Sequence, residues 1–138
     1  MSAKTMLNFV ERECLSSVLV VDAEPQVREA VSEVLNVKSH YLLFEDSPDQ
    51  LERVFVEKSP IAAALIDVFR PVERFFELIA YVKYNSPKTQ VICISWLADV
   101  DLWIEFLQRG AYDYLAKPLD RKELRRIVNN ALERHRSA

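Results

Sequence analysis

Five short apolar runs, each followed by a segment of helical spacing, constrain this chain more than any other feature of its sequence. The sharpest is Ile61–Pro71, read as IAAALIDVFRP: six apolar residues without a break, then Asp67, then Pro71 at the start of a new periodic segment. A continuous apolar run of this length, bounded by a breaker, fits a strand buried on both faces, as in a parallel sheet covered by helices. An aspartate at the carboxyl end of such a strand stands where open α/β sheets place their ligands. A simple helix cap does not account for Asp67, because a capping residue directly precedes the first helical residue and Asp67 lies four residues before Pro71.

The same alternation runs through the rest of the chain. Val18–Val21 is an apolar strand ending in Asp22, and Pro25 opens a helix whose stripe is Val27, Ala30, Val31, Val34 and Leu35. Tyr41–Phe44 is a second strand. Ser47-Pro48-Asp49-Gln50 then offers an N-cap serine, a first-turn proline and a capping-box glutamine for a helix buried through Leu51, Val54 and Phe55. Phe75, Leu78, Ile79 and Val82 mark a third helix, ended by Ser86-Pro87. Val91–Ile94 is a strand finishing in Ser95, and Asp99–Gln108 is a helix stopped by Gly110, where a left-handed cap is expected. Tyr112–Ala116 is a fifth strand, followed by Lys117-Pro118. Asp120 and Glu123 form a second capping box for a helix buried through Leu124, Ile127, Val128, Ala131 and Leu132, with Arg134, His135 and Arg136 at its negative end. Connections of this length make parallel, right-handed crossovers the default, giving one sheet with helices on both faces. Asp22, Asp67, Ser95 and Lys117 each follow the last apolar residue of their strand, so all four are expected at one edge of it.

Composition narrows the chemistry. A chain of 138 residues, half of them hydrophobic and 28% charged, is one globular domain. The net charge of −3 gives no general reason to expect nucleic acid or an anionic membrane as partner. The single glycine, Gly110, excludes the glycine-rich phosphate loops of dinucleotide and P-loop proteins and disfavours nucleotide and flavin enzymes. Cys14 and Cys93 lack a metal or redox spacing, and Cys93 reads as core. No apolar stretch approaches the ~20 residues of a membrane span, and the first ten residues lack a signal-peptide core, so a cytoplasmic setting is expected. Residues 1–16 precede the repeating pattern and form an extension, with Ala3–Cys14 able to make one helical turn or two; residues 17–138 are the domain.

VLVVDAEPQVREAV, LIDVFRP, ICIS and GAYDYLAKPLDRKEL, in that order and spacing, resemble the receiver domain of response regulators over roughly Ser17 to Arg134. The ordered set is specific, whereas Lys-Pro alone is weak. The resemblance implies a flavodoxin-like fold with strand order 2-1-3-4-5. It implies that Asp67 accepts a phosphoryl group from a histidine kinase or phosphotransfer protein. The chain's own His40 and His135 are not placed to be donors. Asp22, Asp67 and the backbone carbonyl of Phe69 would hold Mg²⁺. Lys117 would pair with the acceptor and then with the phosphoryl oxygens, Ser95 would bond that group, and Tyr114 would turn inward as Ser95 moves. Such chemistry is mostly positioning and charge neutralisation. Two carboxylates ~4 Å apart repel by roughly 4 kcal/mol at an effective dielectric near 20, so a metal cation or a lysine must lie between them.

The sequence departs from that family at three places. Its acidic turn usually has a second, metal-binding acid beside the first, and here the residue is Ala23. Mg²⁺ binding is therefore expected to be weak or absent. Glu24 reads first as a helix charge and only secondarily as a substitute ligand. Arg74-Phe75 stands where the family often has Asp-Gly, which predicts an earlier helix start and a solvated Arg74. Trp96 stands after Ser95 where a small residue is usual, with two readings: with Phe69 and Leu97 it narrows the mouth and excludes donor and water alike, or it folds away against the fourth helix. Arg121, Lys122, Arg125 and Arg126 read as a solvated face rather than a nucleic-acid surface. Leu102, Trp103 and Phe106 exceed one buried stripe and fit either core packing or a partner or dimer surface.

No helix-turn-helix follows the last helix, so output is expected from another protein or from a part outside this sequence. Two functions follow: a receiver phosphorylated on Asp67 that signals through altered protein contacts, and a phosphorylation-independent pseudo-receiver acting as an interaction or dimerisation module. A flavodoxin-like enzyme is remote, with no nucleophile–base pair in the sequence. At most, self-phosphorylation from a phosphodonor and autodephosphorylation are expected.

Overall fold

The computed structural model describes residues 2–5, 17–35, 40–58 and 60–137. Strands and helices alternate as β1 (Ser17–Val21), α1 (Pro25–Val34), β2 (Tyr41–Glu45), α2 (Leu51–Glu57), β3 (Ile61–Asp67), α3 (Glu73–Asn85), β4 (Gln90–Ser95), α4 (Val100–Gln108), β5 (Asp113–Ala116) and α5 (Arg121–Ser137). All strand pairs are parallel and the sheet order is β2-β1-β3-β4-β5, the flavodoxin-like order expected. Strands β1, β3 and β4 are central, and every side chain of β1 and β4 is buried, which is why they read as unbroken apolar runs.

Alternate strand residues feed two separate cores. Leu19, Val21, Ala64, Ile66 and Cys93 pack with Leu51 of α2, Phe75 of α3 and Phe106 of α4. Val18, Val20, Leu65, Ile92 and Ile94 pack with Val31 of α1 and Val128 of α5. The stripes of α1, α2 and α5 are buried as their spacing predicts. Burial pushes the Cys93 thiol up to about 12, consistent with a core residue.

Helix ends show where local chemistry acted. Asp99 accepts the Leu102 N–H at 3.1 Å and caps α4. Gly110, at φ +110°, closes that helix: its N–H reaches the Leu107 carbonyl at 3.1 Å, and the Ala111 N–H reaches Phe106 at 3.0 Å. Asp120 caps the Lys122 and Glu123 amides at 2.8 and 3.2 Å, but Glu123 pairs with Arg126 instead of reaching back, so only half of that box forms. The Ser47 box is corrected outright. Its hydroxyl accepts the Asp49 N–H two residues on, at 3.1 Å, forming a local turn. Gln50 then takes a left-handed φ of 65°, and α2 begins only at Leu51.

Residues 3–5 form a helical turn, with the Ser2 hydroxyl accepting the Thr5 N–H at 3.1 Å. The rest of the expected extension, including Met6, Phe9, Val10 and Cys14, lies outside the described residues. Among the described residues no helix is long and apolar enough to cross a membrane.

Candidate functional site

Strand register brings the site together. Val21 pairs with Ile66, Asp67 with Ile94, and Ser95 with Ala116. Asp22, Asp67, Ser95 and Lys117 therefore leave the sheet at the same carboxyl edge, as their place after each apolar run predicts. The ladder continues past the strands: the Asp22 N–H donates to Glu45 at 3.0 Å, Val68 to Ile94 at 2.8 Å and Lys117 to Ser95 at 2.7 Å.

Lys117 is the centre of the arrangement. Its ammonium lies 2.7 Å from Asp22 Oδ2, 3.0 Å from Glu24 Oε1 and 3.1 Å from Asp67 Oδ1. The Asp22 contact is an ion pair rather than a well-directed hydrogen bond. Asp22 and Lys117 side chains are almost wholly buried, whereas Asp67 keeps 22% of its surface exposed. Asp22 is held twice more. Its Oδ1 accepts the Glu24 N–H at 2.8 Å and its carbonyl accepts Arg28 Nε at 3.2 Å. Arg28 also pairs with Asp46 and lies over the Phe44 ring.

Burial pushes the Asp67 carboxyl above its ordinary range; Lys117 pulls it back, and Asp22 adds to the rise. Burial opposes the charge on Lys117, but its contacts with Asp22, Glu24 and Asp67 outweigh it and raise its pKa. The hydrogen bond from Trp96, then that from Lys117, lowers Glu24. Three carboxylates share one ammonium, so the cluster remains anionic.

Glu24, Trp96 and Arg74 take positions that their local sequence does not fix. Glu24 is not a solvated helix charge: it sits at the N-cap of α1, makes no side-chain cap bond there, and turns its carboxylate to Lys117. Trp96 does not fold away against α4. Its Nε1 donates to Glu24 Oε1 at 2.6 Å, and its ring faces the Lys117 ammonium at 5.9 Å. Beside it, Trp96, Glu24, Lys117, Leu119 and α1 residues border a cavity of about 210 Å³. The other expected parts of an apolar mouth lie elsewhere. Phe69 packs edge-on against Phe75 at 5.0 Å, and Leu97 joins the core beneath α4. Arg74 is not merely solvated, since it bonds Asp49 at 2.8 Å and lies over the Phe69 and Phe75 rings.

The Ser95 hydroxyl is fully buried, donates to the Val68 carbonyl at 2.5 Å and accepts the Leu97 N–H at 3.0 Å. Tyr114 lies inward, its ring 5.5 Å from Trp103 and 5.7 Å from Phe106. Among the described residues its buried hydroxyl has no directed hydrogen-bond partner, and burial raises its pKa. Leu102 and Phe106 are core, and Trp103 is half-buried with Nε1 donating to Leu97 O at 2.9 Å, so these three do not form an exposed α4 surface. Val100, Ile104 and Leu107 are the exposed apolar residues of that helix instead. On α5, Arg121 pairs with Glu33 and Arg126 with Glu123, so half of the basic set is neutralised locally.

The chemistry of the donors suits a hard cation, but their arrangement does not fit one. The oxygens of Asp22, Glu24 and Asp67 converge on Lys117, and among the described residues no three acidic, histidine or cysteine side chains are grouped to hold a metal. Ala23 is exposed and offers no ligand. Glu24 was the site residue hardest to read from sequence. The available signal was a carboxylate beside an alanine that stands where an acid is usual.

A family model described as the response regulator receiver domain matches residues 18–129. The chain is 31% identical over 116 residues to the response regulator protein PilR of Pseudomonas aeruginosa, covering 83% of this chain and 25% of that one. It is 32% identical to the DNA-binding transcriptional regulator NtrC of a Bradyrhizobium species, covering 84% and 24% respectively. The chain thus spans about a quarter of the length of these relatives. Among solved structures, a response regulator from Thermotoga maritima superposes with a TM-score of 0.75 at 27% identity, covering 86% of this chain and 98% of that one. The beryllofluoride-activated NtrC4 receiver domain dimer gives 0.75 at 26% identity, with the same coverage.

Proposed function

The chain belongs to the response regulator receiver family, and on that premise we propose that it is a two-component signalling receiver phosphorylated on Asp67. The donor is the phosphohistidine of a histidine kinase or phosphotransfer protein. One observation supports this reading above the others: a buried lysine holds an exposed-edge carboxylate, Asp67, 3.1 Å from its ammonium, with Asp22 behind it.

In the transfer, a carboxylate oxygen of Asp67 forms the new P–O bond as the P–N bond to imidazole breaks. The leaving nitrogen keeps the electron pair and takes up a proton. The Lys117 ammonium, already held beside Asp67 by the neighbouring carboxylates, neutralises charge on the phosphoryl oxygens. Receivers draw further neutralisation from a divalent cation; the oxygens of Asp22, Glu24 and Asp67 are turned to Lys117 instead, so metal affinity is weak. Phosphorylation turns the Ser95 hydroxyl from Val68 to the phosphoryl group, and Tyr114 transmits the change to α4 and β5. The exposed Val100, Ile104 and Leu107 give that surface an apolar face for an output protein or a second copy.

A second reading has its own support. Ala23 in the acidic turn and the filled centre of the site favour a pseudo-receiver that binds partners without phosphorylation. Incubation with acetyl phosphate or a phosphorylated kinase, read by intact mass, separates the two. A phosphoryl mass increase that disappears in Asp67→Asn supports the receiver. No increase, together with tryptophan fluorescence unresponsive to beryllofluoride, leaves the pseudo-receiver.

A further inference from the structure

We propose that Glu24, anchored by Trp96, is a positioning residue that acts as a resident anion at Lys117, occupying the place an incoming phosphoryl group must take. This rests on the receiver reading for the identity of the incoming group. The site then opens to a donor when the Trp96–Glu24 hydrogen bond breaks.

The Lys117 ammonium is already enclosed by three carboxylates, Asp22, Glu24 and Asp67, within 3.1 Å, and its directed hydrogen bond goes to Glu24. A fourth anion has to displace one of them. Asp22 cannot leave: its side chain is fully buried and its Oδ1 is tied to the Glu24 amide. Asp67 is the acceptor and has to stay. Glu24 remains, with its side chain 36% exposed and no capping bond to lose. Its release strips nothing from the core, since Trp96 is itself 60% exposed.

Trp96 decides how firmly Glu24 is held. The indole N–H donates to the same Oε1 that faces Lys117, so one oxygen accepts from both residues. A hydrogen bond to a charged acceptor is stronger than a neutral one. The contact also joins the turn after β1 to the residue following Ser95, across 72 positions of sequence. Entry of an anion therefore frees Trp96 at the same end of β4 that carries the Ser95 hydroxyl.

Inorganic sulfate tests the competition without any transfer step or divalent cation. Its binding is followed by two-dimensional NMR at the backbone amides of Asp22 and Lys117 in the wild type, Glu24→Gln and Trp96→Phe. Trp96 is exposed and Glu24 half-buried, and neither side chain belongs to the apolar core, so the fold is retained. Sulfate should bind Glu24→Gln about tenfold more tightly, the equivalent of one charge-assisted hydrogen bond. It should also bind Trp96→Phe more tightly, although that variant keeps every charge. Tightening in Glu24→Gln alone would mean general charge repulsion and overturn the proposal, as would unchanged affinity in both. Phosphoryl gain from acetyl phosphate is measured alongside. Its absence in all three proteins rejects the receiver reading, while the sulfate comparison still decides the role of Glu24.

Discussion

The Ser95 hydroxyl donates to the Val68 carbonyl at 2.5 Å, across the gap between the end of β4 and the residue that follows the acceptor strand. The same oxygen accepts the Leu97 N–H at 3.0 Å, so one buried side chain holds together the two loops that border Asp67.

Replacing it should be costly for so small a group. Ser95→Ala leaves a carbonyl and an amide without these partners, which corresponds to about 1–3 kcal/mol of destabilisation. Urea unfolding should show a lower midpoint at an unchanged slope. A midpoint equal to the wild type would mean that the hydroxyl contributes nothing to holding the loops.

Lys117→Met should be the most damaging single change at the site. It leaves the buried Asp22 carboxylate and its neighbours without their cation, and breaking a buried pair this way costs roughly 3–5 kcal/mol. The loss should be greatest near neutral pH and smaller in acid, where the carboxylates protonate and stop repelling. Urea unfolding of both proteins at about pH 7.5 and about pH 5 measures this. A pH-independent difference would contradict an electrostatic origin.

Asp67 gives a pH dependence of opposite sense to an ordinary surface aspartate. Its pKa is raised in the folded state, so its contribution to stability is fully present below the unfolded value and lost as pH rises through the folded value. Asp67→Asn should therefore be more stable than wild type at neutral pH, with the advantage disappearing in acid. Thermal unfolding across that range tests the sign. An advantage that grows on acidification would overturn the assignment of burial as the main cause.

Ala23→Asp should create metal affinity where the present residues do not fit an ion. The added carboxylate lies beside Asp22 and supplies a further oxygen for a hard cation. A Mg²⁺ titration followed by Trp96 fluorescence should saturate in this variant at lower concentration than in wild type. Identical curves would show that position 23 does not face the site.

Alternation of period decided most of the fold. The uninterrupted runs at Val18, Ile61 and Val91 had to be strands covered on both faces, and the stripe of Leu124, Ile127, Val128, Ala131 and Leu132 is buried as its spacing requires. Side chains immediately after such strands share an edge by construction, which is why Asp22, Asp67, Ser95 and Lys117 were identifiable from order alone. Helix starts were less legible. Ser47 had the right neighbours for a cap, but its hydroxyl bonds a nearby amide and α2 begins after Gln50.

What sequence determined by itself was the set of strands, the edge they share and the polar residues that end them there, because those follow from local periodicity. Only tertiary structure decided that Glu24 turns to Lys117, that Trp96 holds it there, and that Arg74 lies over Phe69. Each of these is a choice of rotamer among partners on different elements. No local pattern encodes such a choice; it depends on which donors and acceptors the packed sheet leaves within reach.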